Sequence, residues 1–147
     1  MDEAMKQQTI IGKAMRDSIK VRGWRSAELN YNKASTVGDA RFYVKTLLGK
    51  TIQPKVSSDA IFAFSDLKKA MATAEHGAWL SATAKIDSKG NIDFDFNYDN
   101  EPDWIVPLSE ESDPLIYFEE MKLYPRPEHE TPDWLKAKLS KDAPKVS

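Results

Sequence analysis

Ile92-Asp93-Phe94-Asp95-Phe96-Asn97-Tyr98-Asp99 is the stretch on which the fold turns. Apolar and aromatic side chains alternate here with acidic and amide ones. A period of two belongs to a β-strand with one face packed and the other wet. Just upstream, Asp87-Ser88-Lys89-Gly90 is a short loop with glycine where positive φ is needed. Ala78 to Ile86 before it reads as the partner strand. These two runs predict a hairpin in an antiparallel sheet.

The same pattern recurs toward the N-terminus. Trp24 to Asn32 alternates Ala27, Leu29 and Tyr31 against Ser26, Glu28, Asn30 and Asn32. Asp39 to Lys45 alternates Ala40, Phe42 and Val44 against Arg41, Tyr43 and Lys45. With Lys33 to Gly38 as a polar turn, these form a second hairpin. Leu47 to Val56 has room for a short edge strand, limited by Pro54. Two helices frame these strands. Asp2 to Arg22 carries Ile11, Ala14, Met15 and Ile19 as one apolar stripe, with Gly23 as its stop. Ser57-Ser58-Asp59 opens the second, whose face is Ala60, Phe64, Leu67, Met71 and Ala74 and whose end is His76-Gly77.

Beyond Asp99 the chain is irregular to Ser112, with prolines at 102 and 107. Asp113-Pro114 then opens a helix to about Leu123, with Leu115, Phe118 and the Met121/Leu123 end toward the sheet. Thr131-Pro132 opens a short helix from Asp133 to Leu139. The expected architecture is one α+β domain over residues 1–139, a two-layer arrangement of an antiparallel β-sheet with helices packed on one face. Residues 140–147 read as a flexible tail.

Composition narrows the function classes. The 147 residues are 41% hydrophobic and 30% charged, with no cysteine. The absence of cysteine rules out disulfides, thiolate metal sites and a cysteine nucleophile. Neither a signal-peptide run nor a membrane-length apolar stretch is present, so the expected compartment is the cytoplasm. The net charge of −2 conceals an asymmetry: residues 1–69 hold thirteen Lys/Arg against seven Asp/Glu, while residues 70–147 hold eight against sixteen. From Asp93 to Glu120 there are ten acidic residues and no basic one.

Three chemistries compete, two of them for that run. Asp93 and Asp95 share a strand face, and Asp99 continues it, so the three could hold Mg²⁺ or Ca²⁺ for a metal-dependent hydrolase. No Lys or His stands within the run to act as base, and a solvated strand face opposite a packed one explains the same pattern. His76 and His129 share no motif with a nucleophile, and no glycine-rich loop follows a strand. Lys13, Arg16, Lys20, Arg22 and Arg25 could touch phosphates, but Asp17, Glu28 and Asp39 interrupt their field. The third chemistry is protein binding. Acids interleaved with Tyr98, Pro102, Trp104, Ile105, Leu108, Tyr117 and Phe118 give aromatic anchors rimmed by one sign of charge. On that reading Asp93, Asp95, Asp99, Glu101, Asp103, Trp104, Glu110 and Glu111 form the contact surface, with Trp104 as candidate anchor or, equally, as a plug at the edge of the core. The partner is a protein, not nucleic acid or a membrane, and no cofactor is required.

A resemblance adds to this reading. Gly77-Ala78-Trp79-Leu80-Ser81 followed by Ile86 through Asp99 is similar to the hairpin of the YezG-like immunity proteins: a Trp-bearing strand, a glycine turn, then an aspartate-rich Phe-x-Tyr-Asp. Glu101-Pro102, Tyr124-Pro125-Arg126 and Thr131-Pro132-Asp133-Trp134-Leu135 resemble the C-terminal signature of one branch. The similarity spans residues 57–139; residues 1–56 match only in the order of elements. It implies an antitoxin that binds the toxic C-terminal domain of a cognate bacterial effector, many of which are nucleases with cationic active sites. The family has no motif that assigns contact residues.

Overall fold

A computed structural model describes residues 2–141. Its elements in order are α1 (Glu3–Ser18), β1 (Trp24–Ala34), β2 (Val37–Thr46), β3 (Thr51–Ile52), α2 (Ser58–Met71), β4 (Ser81–Asp87), β5 (Ile92–Asn97), α3 (Ser112–Leu123), a 3₁₀ turn (Glu128–Glu130) and α4 (Asp133–Ser140). The fold is α+β, with one antiparallel five-stranded sheet in the order β3-β2-β1-β4-β5. Most of the expected tail, residues 142–147, lies outside the described residues. Among the described residues no helix is long and apolar enough to cross a membrane.

Strand alternation sorts the main core. Ala27, Leu29 and Tyr31 of β1, Phe42 and Val44 of β2, and Ala82, Ala84 and Ile86 of β4 all face α1 and α2. The helices answer with Ile11, Ala14, Met15, Ala60, Ala63, Phe64 and Leu67. Tyr31 stacks on Phe64 at 5.0 Å and meets Trp79 edge-on. Burial at this depth pushes the Tyr31 hydroxyl up to about 12.

Several boundaries differ from the sequence expectation. α1 ends at Ser18, because its apolar stripe ends at Ile19 and nothing remains for Lys20 or Arg22 to pack against. α2 ends at Met71, so Ala74 and His76 lie past it, in a turn closed by a Thr73–Gly77 bridge. The first hairpin is tighter than expected. β1 and β2 pair through Ala34–Val37, which leaves only Ser35 and Thr36 to turn the chain, with Ser35 at φ 55°. β4 begins at Ser81, three residues late, because Ala78, Trp79 and Leu80 are all buried in succession. Such a run cannot be pleated with one wet face. Trp79 enters the main core, whereas Leu80 enters a second one.

That second core closes the end of the sheet at the Ser35 turn. It joins Ala34 and Leu80 to Ile116, Tyr117 and Leu135. The buried face of α3 is thus Ile116, Tyr117 and Glu120, while Leu115 and Leu123 are exposed. Of the apolar residues expected on that face, Met121 packs against the second core, and a carboxylate shares the buried stripe. Glu120 Oε1 lies 2.8 Å from Lys68 Nζ, with both side chains at most 3% exposed. Lys68 also donates to Lys33 O at 2.7 Å, and Ser35 N donates to Glu120 Oε1 at 2.8 Å. Ser35 Oγ bonds Glu119 Oε2. One ion pair therefore ties α2, α3 and the strained turn together.

β5 is an edge strand. Its Phe94 and Phe96 stack on each other and reach the main core, but stay half-buried, and Ile92 is 36% exposed. The expectation of a fully packed Ile92/Phe94/Phe96/Tyr98 face is corrected to a half-packed one, because no further strand covers it. The strand stops at Asn97, whose side chain accepts from Asn100 N and donates to Asn100 O.

Lys68→Met leaves the Glu120 carboxylate buried without its cation and is expected to cost about 3–5 kcal/mol in urea denaturation. Lys69→Met, one residue away and exposed, serves as control and stays near zero. At the β4–β5 turn, the Asn91 side-chain amide, then the Asn91 and Lys89 backbone amides, hold Asp87 below the usual carboxylate range. A depressed folded-state value stabilises the fold above pH 3.8, and the gain is lost as the pH falls through the folded value. Urea midpoints measured from pH 5 to 2 should therefore fall less steeply in Asp87→Asn than in the parent.

Candidate functional site

The face of the sheet opposite α1 and α2 is built from the other half of each alternation. Strand register arranges it in rows: Tyr43–Glu28–Lys85–Asp93, then Arg41–Asn30–Thr83–Asp95, then Asp39–Asn32–Ser81–Asn97. The rows are knitted by Thr83 Oγ1 to Asn30 Oδ1 at 2.8 Å, Asn97 Nδ2 to Ser81 Oγ at 2.8 Å, and Lys85 to Glu28 at 3.8 Å. The loop after β5 walls one end. Ile105 N donates to Asp39 Oδ2, and Asn32 Nδ2 donates to both Asp39 Oδ1 and Asp103 O. Between loop and sheet lies a polar hollow of about 260 Å³ that includes Arg41, Thr83 and Asp103.

The eight sequence-derived candidates divide across this surface. Asp93 and Asp95 are exposed on the edge strand, and neither makes an ion pair among the described residues. Asp103 is exposed at the rim of the hollow. Glu110 and Glu111 are exposed just before α3. Asp99 is more engaged: its carbonyl accepts Trp134 Nε1 at 2.6 Å, and its charge supports the Arg126 guanidinium, whose pKa burial lowers. Glu101 accepts the Tyr117 hydroxyl at 3.0 Å and lies 3.5 Å from Lys138 Nζ. Trp104 is half-buried against the second core and donates Nε1 to the Tyr117 oxygen at 3.2 Å. It plugs the edge of that core.

Tyr117 sits at the centre of this cluster. Burial pushes its hydroxyl well above the ordinary tyrosine range; Trp104 acts against that shift, and the Glu101 charge adds to it. Lys138 closes the group, 2.7 Å from Asp113 and 5.9 Å from the Tyr117 ring centroid. Burial works against the Lys138 charge, but the bond to Asp113 and the field of Glu101 outweigh it and raise its pKa.

Sequence reasoning missed the cations that reach into the acidic run from elsewhere: Lys68 to Glu120, Lys138 to Glu101 and Asp113, and Arg126 near Asp99. One signal was available. Ile116, Tyr117 and Glu120 follow helical spacing, which places Glu120 on a buried stripe.

Among the described residues no three His, Asp or Glu side chains converge to hold a metal ion, Asp93, Asp95 and Asp99 included. His76 Nδ1 faces Glu130 at 3.3 Å, and His129 borders the same carboxylate at 3.9 Å. In the basic group, Lys13 pairs with Asp17 at 2.6 Å.

The motif residues that carry the family resemblance meet one another. Arg126 donates to Ala78 O at 3.0 Å and lies so close to Gly77 that a Cβ there would fall 2.6 Å from its Cγ. Gly77, at φ +69°, suits that approach and that conformation. Trp134 packs edge-on against Tyr117 at 5.2 Å and bonds the backbone of Asp99. These residues fasten the hairpin to α3 and α4.

Trp104→Ala is expected to destabilise the fold by about 1–3 kcal/mol, the worth of a large side chain's burial, while Asp103→Asn leaves the urea midpoint within about 0.5 kcal/mol of the parent. A Trp104→Ala variant as stable as the parent would contradict the plug assignment.

No family model matches this chain, and no curated protein is significantly similar to it.

Proposed function

We propose that this chain is an immunity protein of the kind its hairpin resembles. It binds the toxic C-terminal domain of a cognate effector in the bacterial cytoplasm and neutralises it by covering its surface. The partner is a cationic domain, a nuclease as the resemblance implies, and no cofactor takes part.

The observation that carries this reading is the division of the ten acids. Glu101, Asp113, Glu119 and Glu120 bond to groups of the protein itself, and the Asp99 charge supports Arg126. Asp93, Asp95, Asp103, Glu110 and Glu111 are exposed and make no ion pair among the described residues. They extend from the β5 edge through the following loop to the start of α3. Fold stability does not account for five unpaired carboxylates of one sign. A field of this kind steers a cationic partner and raises its association rate, the more so at low salt. Close charge pairs formed on contact then slow dissociation.

The test is co-production with the C-terminal domain encoded by the adjoining gene. A complex and protection of the host from toxicity are expected. Reversal of Asp93, Asp95 and Glu111 to lysine should slow association about tenfold or more and flatten its salt dependence, with the urea midpoint retained. Absence of both complex and protection contradicts the proposal.

A further inference from the structure

The two edges of the sheet are built differently. β3 is two residues long, and Pro54 follows it closely, so that edge offers little backbone to pair with. β5 is six residues long, contains no proline or glycine, and has no neighbour on its outer side among the described residues.

Its hydrogen-bond parity is set at the β4–β5 turn. Asp87 N donates to Asn91 O, and the register continues as Lys85–Asp93 and Thr83–Asp95. In an antiparallel ladder, hydrogen-bonded pairs recur at every second position. The amide and carbonyl groups of Asp93 and Asp95 therefore face β4. Those of Ile92, Phe94 and Phe96 face outward, free to pair with another strand.

The two sides of this edge differ in chemistry. On the open face stand the exposed Asp93 and Asp95. Lys85, opposite Asp93, turns to Glu28 instead. On the helix side, β5 and α1 leave a groove of about 270 Å³ bordered by Met5, Gln8, Gly12, Arg16, Ile92 and Phe94. Met5 is 55% and Ile92 36% exposed there. Arg16 Nη2 is buried without a hydrogen-bond partner among the described residues.

We propose that β5 is a docking edge for an extended strand of the protein partner, one with Lys or Arg at alternate positions and apolar residues between them. The strand adds to the sheet beside β5. Its cations fall opposite Asp93 and Asp95, and its apolar side chains extend the Ile92/Phe94/Phe96 side into the groove against α1. A second copy of this chain does not fit: antiparallel pairing of β5 with itself would set aspartates against aspartates, and like charges directly opposite one another repel. This inference rests on the reading of the chain as a protein-binding module and specifies how it binds.

Two capped peptides are suitable probes, Lys-Val-Lys-Val-Lys-Val and Glu-Val-Glu-Val-Glu-Val, titrated into the intact protein with amide exchange followed by NMR. The lysine peptide should bind at least tenfold more tightly and slow exchange at the Ile92, Phe94 and Phe96 amides at least tenfold. In Asp93→Lys/Asp95→Lys, which alters only exposed side chains, the preference should invert. Binding that protects other amides instead, a preference that survives the charge swap, or self-association through β5 would overturn the inference. A toxin complex that leaves the β5 amides unprotected would overturn it too, with the proposed function intact. Conversely, β5 protection by the lysine peptide without any toxin complex would retain the edge assignment and remove the toxin.

Discussion

Lys68 and Glu120 are opposite charges taken almost wholly out of water, and the rest of the molecule is arranged around their need for partners. Burial lowers the Lys68 pKa, opposed by the Glu120 charge and its hydrogen bond. Such a pair is tolerated only where every remaining donor and acceptor is met. Here Lys33 O and Ser35 N supply the contacts, and the Tyr124 ring lies 5.4 Å from the ammonium. The pair thus fixes the rotation of α3 about its axis. Were α3 turned by one residue, Glu120 would leave Lys68 and Tyr117 would leave the second core. It also secures Ser35 in a positive-φ conformation that serine adopts at a cost.

The layout of the acidic surface follows from that orientation. With α3 set, Tyr117 faces Trp104 and Glu101, and Asp113 faces Lys138 on α4. The loop between β5 and α3 is drawn over the end of the sheet, where Asp39 and Asn32 hold it at Asp103 and Ile105. The acids that point inward along this path are neutralised by Lys68 and Lys138. Those that point outward remain, and they are the ones with a partner still to find. A run that is uniformly acidic in sequence therefore becomes two populations in space, one structural and one presented.

Much of the fold was legible because period-two alternation is a strong local signal. Ile92 to Asn97, Ala27 to Tyr31 and Phe42 to Val44 each showed which side chains face the helices. What failed was long-range. Helical spacing sets Glu120 in line with Ile116 and Tyr117, but the cation that meets it there is a lysine 52 residues away. Likewise the buried run Ala78-Trp79-Leu80 reads as the start of a strand until two separate cores claim its residues. The width of the Ser35 turn was misjudged because serine rarely takes positive φ unless tertiary bonds hold it there. For the candidate site, Asp93, Asp95, Asp103, Glu110 and Glu111 stand exposed on the surface where expected, whereas Glu101 and Trp104 proved to be attached to Tyr117.

The central claim is that the outward acids contribute nothing to the fold, while the inward ones sustain it. Removal of two charges from each population isolates that difference. The urea midpoint of Asp93→Asn/Asp95→Asn should equal or slightly exceed that of the parent, since only like-charge repulsion is relieved. Glu101→Gln/Asp113→Asn should lower it clearly, because Lys138, 17% exposed, loses both of its carboxylates. Equal losses in the two variants, or a larger loss in the outward pair, would contradict the division of the acidic run.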